Sequence, residues 1–128
     1  SWFLDKMVNI CRSIRDQKEE QSNSAVKKAM LYIQENFSKD ISLDEVSGQV
    51  NISPYYFSKI FKEETGENFI EYLTRIRIEK AKEFLKQPEV SVKEAGVKSG
   101  YTDPNYFSRI FKKQTDMTPS EFKTRYGK

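Results

Sequence analysis

The chain has 128 residues, 37% of them hydrophobic, with a formal net charge of +3 and a pI of about 8.9: one compact domain, or one domain with an appendage, basic enough to permit a polyanionic partner without demanding one. It has no histidine and a single cysteine, Cys11, which excludes an intramolecular disulfide, fits a reducing cytoplasm, and removes His-based acid–base catalysis, the usual serine and cysteine triads and most catalytic zinc sites. No run of 18 apolar residues, secretory signal, metal-ligand cluster or glycine-rich phosphate loop occurs, so the sequence implies no membrane span, no cofactor, no metal and no enzyme.

Residues 1–15 place Phe3, Met7, Ile10 and Ile14 on one helical seam. It is either an end segment packing on this domain or a signalling or dimerising helix leading in from an upstream domain. Residues 16–24 are wholly polar. The start at Ser1-Trp2, without Met, suggests a piece of a longer protein. A second helical stripe comes next in Val26, Ala29, Met30, Ile33 and Phe37, with Ser24 as its expected cap.

Ser42-Leu43-Asp44-Glu45 has the pattern of a capping box, opening a helix with Leu43, Val46 and Val50 inward. After the turn Asn51-Ile52, Ser53 is an N-cap and Pro54 stands at the first helical position, where its missing N–H costs nothing. This next helix runs to Thr65, with Phe57, Ile60 and Phe61 inward and Gly66 closing it. Two short helices joined by a tight turn form a helix-turn-helix over about 42–66. Asn68 and Glu71 open a long helix over about 68–87, packed through Phe69, Leu73, Ile76, Ala81, Phe84 and Leu85 and ended by Pro88. It reads as a spacer, because a second copy of the helix-turn-helix lies beyond it.

Shifting 54–75 by 50 residues gives eleven identities in 22 positions, among them Pro54/Pro104, Tyr56/Tyr106, Phe57/Phe107, Ser58/Ser108, Ile60/Ile110, Phe61/Phe111 and Lys62/Lys112. Chance would give about one or two. The second unit spans about 91–116. It restarts at Ser91-Val92-Lys93-Glu94, again a capping-box pattern, and its turn Gly100-Tyr101-Thr102 holds one residue more than the first. Asp103 caps a helix running from Pro104 to Thr115 with Phe107, Ile110 and Phe111 inward. Thr118-Pro119-Ser120-Glu121 is a third capping-box pattern, with Pro at the first helical position, and opens a last short helix carrying Phe122 and Tyr126.

The repeated helix turns Tyr55, Ser58, Lys59 and Lys62 outward in its first copy and Asn105, Ser108, Arg109, Lys112 and Lys113 in its second. Arg reads guanine through two bonds, Asn reads adenine, Ser reads either, and aromatics meet the thymine methyl. Lys62 and Lys112 alone would be ordinary solvated charges; their doubling within one motif suggests phosphate contacts. Tyr56 and Tyr106 either meet the nucleic-acid backbone or pack over a helix end. The second copy is the more attractive electrostatically, since Lys59 and Lys62 are offset by Glu63 and Glu64. A helical protein-interaction module without specific DNA binding is the alternative, and it would need an apolar outward face.

Residues 52–66 resemble the first helix-turn-helix of the AraC/XylS family of bacterial transcription regulators, and Arg75-Ile76-Arg77-Ile78-Glu79-Lys80-Ala81 resembles its linker helix. The run 100–113 is similar to the family's second unit, and 66–73 looks most like the YesN-like branch of two-component response regulators. The resemblance covers roughly 24–126. It implies an all-α, seven-helix, monomeric module of two helix-turn-helix subdomains joined by a linker helix, here with an extra N-terminal helix. The expected organisation is an N-terminal helix and linker at 1–23, from a missing upstream receiver domain, and a DNA-binding domain at 24–128. The resemblance implies sequence-specific binding to double-stranded DNA in two adjacent major grooves. Base contacts would come from Tyr55, Ser58, Lys59, Asn105, Ser108 and Arg109. Phosphate contacts would come from Ser53, Tyr56, Lys62, Thr102, Tyr106, Lys112 and Lys113. It further implies a cytoplasmic activator that contacts RNA polymerase, with a possible homodimer through the upstream region. Two departures from the family stand out: Asp116 where the first copy has Gly66, and the small residues Ala95, Gly96 and Ser99. The latter predict a thinly packed helix and a more mobile second unit.

Overall fold

The computed structural model of the protein describes residues 24–127. The helix expected over 1–15 lies outside them. Seven helices succeed one another and no strand occurs among the described residues. They are α1 (24–36), α2 (Leu43–Gln49), α3 (Pro54–Thr65), α4 (Phe69–Leu85), α5 (Val92–Lys98), α6 (Pro104–Thr115) and α7 (Pro119–Tyr126). Ser24, expected to cap α1, is already helical.

The punctuation read from the sequence acts locally. Ser42, Asn68, Ser91 and Thr118 each accept the backbone N–H three residues on, at 2.8–3.1 Å. The reciprocal bond that completes a capping box forms at Asn68, whose N–H donates to Glu71 at 3.4 Å. At Ser42, Ser91 and Thr118 the expected box is half made, the glutamate giving no bond back to the cap. Desolvation, together with the Glu45 carboxylate, raises the Tyr32 phenol pKa. Ser53 accepts from the Tyr56 N–H at 3.2 Å and Asp103 from the Asn105 N–H at 3.0 Å, each just ahead of a proline at the first turn.

Two cores form. The first gathers α1, α2, α3 and the N-terminal half of α4, around Ile33, Val46, Phe57, Phe61, Tyr72 and Ile76. The second gathers the C-terminal half of α4 with α5, α6 and α7, around Ile78, Ala81, Leu85, Phe107, Phe111 and Phe122. Burying each large aliphatic or phenylalanine side chain among them is worth about 1.5–3 kcal/mol. The aromatic contacts repeat at the sequence offset. Phe57–Phe61 (5.3 Å) answers Phe107–Phe111 (5.8 Å), and the edge-on pair Phe61–Tyr72 (5.3 Å) answers Phe111–Phe122 (5.5 Å). Thr65 donates to the Phe61 carbonyl and accepts from Glu67 N–H; Thr115 does the same with Phe111 and Met117, within 0.1 Å.

α4 is therefore the closing helix of one unit and the opening helix of the next. That explains the burial of Tyr72 and Ile78, which the packing face read from the sequence leaves out: a helix with a core on each side buries more of its circumference. The expectation of a thinly packed α5 is corrected. A Cβ on Gly96 would stand 2.8 Å from Cδ2 of Phe107, so the ring lies directly on the helix backbone. Glycine here permits close packing instead of signalling its lack. Ser99 is buried and satisfied, its hydroxyl donating to the Gly96 carbonyl at 3.0 Å.

Candidate nucleic-acid interface

α3 and α6 each bury one stripe and leave the opposite one in solvent. On α3 the buried stripe is Phe57, Ile60 and Phe61. Tyr55 is 84% exposed and Tyr56 45%; Lys59 and Lys62 are exposed and Ser58 is half-buried. Tyr55, Ser58, Lys59, Lys62 and Glu63 line one shallow hollow. Four of the candidate contacts of the first unit are thus brought together, with one carboxylate among them.

On α6, Asn105, Arg109, Lys112 and Lys113 are exposed, Ser108 is half-buried and Tyr106 is 50% exposed. Phe107 and Phe111 are buried, while Ile110 is only partly covered, unlike its copy Ile60. Thr102 and Tyr106 share a hollow with Ile70, Thr74 and Arg77 of α4. Thr102 and Ser108 border a second, more apolar one against α5. Tyr106 also leans on Tyr101, ring centroids 5.8 Å apart, so its packing role is real whatever else it touches.

The ends of both helices suit the same surface. Ser53 uses its oxygen as the α3 cap but keeps its own proton to donate. The equivalent cap of α6 is the carboxylate of Asp103, which cannot donate, and the neighbouring hydroxyl is that of Thr102. α3 ends on Gly66 at φ 80° and α6 on Asp116 at φ 65°, both left-handed. Asp116 carries the steric cost that glycine avoids.

Ion pairs among the described residues are confined to α4 and the turn before it: Arg75 with Glu67 (2.9 Å) and Glu79 (3.3 Å), and Lys80 with Glu83 (3.6 Å). Lys59, Lys62, Arg109, Lys112 and Lys113 have no carboxylate partner among those residues. The first unit, 42–66, carries Lys59 and Lys62 against Asp44, Glu45, Glu63 and Glu64, a net −2. The second, 91–116, carries Lys93, Lys98, Arg109, Lys112 and Lys113 against Glu94, Asp103 and Asp116, a net +2.

Sequence reading missed Arg77, which donates to the carbonyls of Phe37 (2.8 Å) and Lys39 (2.9 Å) and lies over the Tyr101 ring, 5.4 Å from its centroid. Burial pushes the Tyr101 phenol pKa up, and the opposing pull of Arg77 does not cancel the rise. Among the described residues no acidic or sulfur-bearing group forms a metal-sized cluster, and no helix is long and apolar enough to cross a membrane.

This geometry is shared with known proteins. The C-terminal domain of AraT, a response regulator from Geobacillus stearothermophilus, is 39% identical with a TM-score of 0.75, covering 79% of this chain and 84% of that one. The transcriptional regulatory protein YesN of Bacillus subtilis is 47% identical over 78 residues, 59% of this chain and 21% of its own length. The DNA-binding domain of AdpA, solved in complex with a target DNA, superposes with a TM-score of 0.75 over 79% of this chain and 91% of that one; at 19% identity this likeness speaks for the fold alone. The chain spans 33–68% of the length of the first curated relatives it matches. The family described as a helix-turn-helix domain matches residues 46–125, and with two such units, a shared linker helix and these relatives, the chain belongs to the AraC-type helix-turn-helix transcription regulators.

Proposed function

We propose that residues 24–128 bind double-stranded DNA sequence-specifically, α3 and α6 entering adjacent major grooves on one face. The observation that carries this reading is the pair of capped helices on matching scaffolds, each turning hydrogen-bonding and cationic side chains to solvent. Arg109 and Lys59 suit guanine edges, Asn105 adenine, Ser58 and Ser108 either base, and Tyr55 a thymine methyl. Lys62, Lys112, Lys113, Tyr56, Tyr106, Ser53 and Thr102 suit phosphate oxygens and fix the register. α4, at 17 residues, is about 25 Å long, against roughly 34 Å between successive major-groove openings.

In this reading residues 1–23 lead in from an upstream domain of receiver type, a reading supported by the likeness to the C-terminal domain of AraT, a response regulator. The whole protein would be a cytoplasmic activator that meets RNA polymerase, dimerising through its upstream region. It is a binding module and not an enzyme.

Selection of bound duplexes from random DNA tests the reading. The expected product is a pair of enriched motifs about one helical turn apart. Affinity should fall with salt at a slope of about −0.9 per neutralised phosphate. Absence of enrichment, or salt-insensitive binding of a protein ligand at this face, would favour the protein-interaction module instead.

A further inference from the structure

Arg77 stands where the two cores meet. Ile76 before it is buried in the first core and Ile78 after it in the second. Its guanidinium reaches back into the first unit, to the carbonyls of Phe37 and Lys39. Those carbonyls lie just past the end of α1, where backbone acceptors lack helical partners and a cation is favoured. The same group lies against the Tyr101 ring of the second unit. Gly100 completes the junction. At φ 107°, a Cβ there would be 2.9 Å from Arg77 Nε and 3.0 Å from the Phe37 carbonyl oxygen. The turn of the second unit therefore rests on the first unit's backbone and on the cation that holds it.

The second unit has its own version of the cap without this bridging. Lys123 of α7 donates to the Gln87 carbonyl at 3.0 Å, just past the end of α4. Among the described residues, Arg77 joins a helix end of one unit to an aromatic ring of the other. A guanidinium suits this because its planar donors serve two carbonyls while its flat face meets a ring.

We infer that Arg77 is a positioning residue that fixes the angle between the two units, and with it the spacing at which α3 and α6 are offered to DNA. Each unit keeps its own core and its share of α4 without it, so its loss frees an angle and leaves the folds standing. The functional half of this inference rests on both units reading DNA.

The test uses the 128-residue chain, as wild type, Arg77→Met and Tyr101→Leu. Amide residual dipolar couplings of 42–66 and 91–116 should fit one alignment tensor in the wild type and two in Arg77→Met. Tyr101→Leu, which keeps the carbonyl bonds, should split them less, and it decides the matter should Arg77→Met not fold. The second arm uses the duplex selected by the wild type and the same duplex with one base pair inserted between its motifs. Arg77→Met should bind the intact duplex about tenfold more weakly, as the aligned fraction falls about tenfold. It should also lose most of the wild-type penalty for the insertion. A single tensor in both variants with an unchanged insertion penalty would overturn the clamp while leaving two-site reading intact. Split tensors beside a wild type indifferent to the insertion would support the clamp and sink two-site reading.

Discussion

The two helix-turn-helix units share an interior and differ at their surfaces. Phe57, Phe61 and Thr65 sit as Phe107, Phe111 and Thr115 do, down to the threonine hydroxyl that ties the helix end to the next turn. The outward positions diverge: Tyr55 against Asn105, Lys59 against Arg109, Glu63 against Lys113. The first unit is net acidic and the second net basic. One scaffold thus carries two surfaces, and of the two only the second has the net sign that attracts a polyanion at long range. Even the interiors part at one point. Ser47 is buried with its hydroxyl on the Asp44 carbonyl (3.1 Å), whereas Gly96, its counterpart, lets Phe107 onto the helix backbone.

The largest effects should test the shared interior. Phe57→Ala and Phe107→Ala should each cost about 3–5 kcal/mol in urea unfolding; a Phe107 value well below its partner's would break the equivalence of the cores. Next come the surfaces. Arg109→Ala should weaken binding to a selected duplex by about 1–3 kcal/mol and relax preference at one base. Lys59→Ala should cost less, because Glu63 shares its hollow. Lys112→Ala should weaken binding evenly across sequences and lower the salt slope by about 1; an equal change in Lys62→Ala, beside Glu63 and Glu64, would contradict the charge asymmetry. The smallest effect is at the helix ends. Asp116→Gly should raise stability by about 0.5–1 kcal/mol in thermal unfolding by relieving the left-handed residue that Gly66 already avoids.

Most of the fold was legible because it is written locally. Caps at Ser42, Ser53, Asn68, Ser91, Asp103 and Thr118, with prolines just inside three of those helices, place the helix starts. A repeat of 50 residues then pairs them. The outward stripes were legible for the same reason: once Phe57 and Phe61 are inward, helical spacing puts Tyr55, Ser58, Lys59 and Lys62 elsewhere. What escaped is what depends on approach between distant segments. Gly96 reads as a weak spot until Phe107 is seen lying on it. Tyr72 and Ile78 look like the margins of a stripe until α4 is seen to serve two cores. Arg77 finds its partner forty residues upstream, at Phe37, and nothing in the local spacing announces that reach.

That α4 closes one unit and opens the next makes its length a phase angle. Each residue added to an α-helix advances it by 1.5 Å and turns it by about 100°. One residue inserted between Ile76 and Ile78 would swing the second unit about a quarter-turn around the first. The residue count of α4 thus sets the coarse phase between the two readers, and the Arg77 contacts hold the finer angle that a helix alone leaves free to bend.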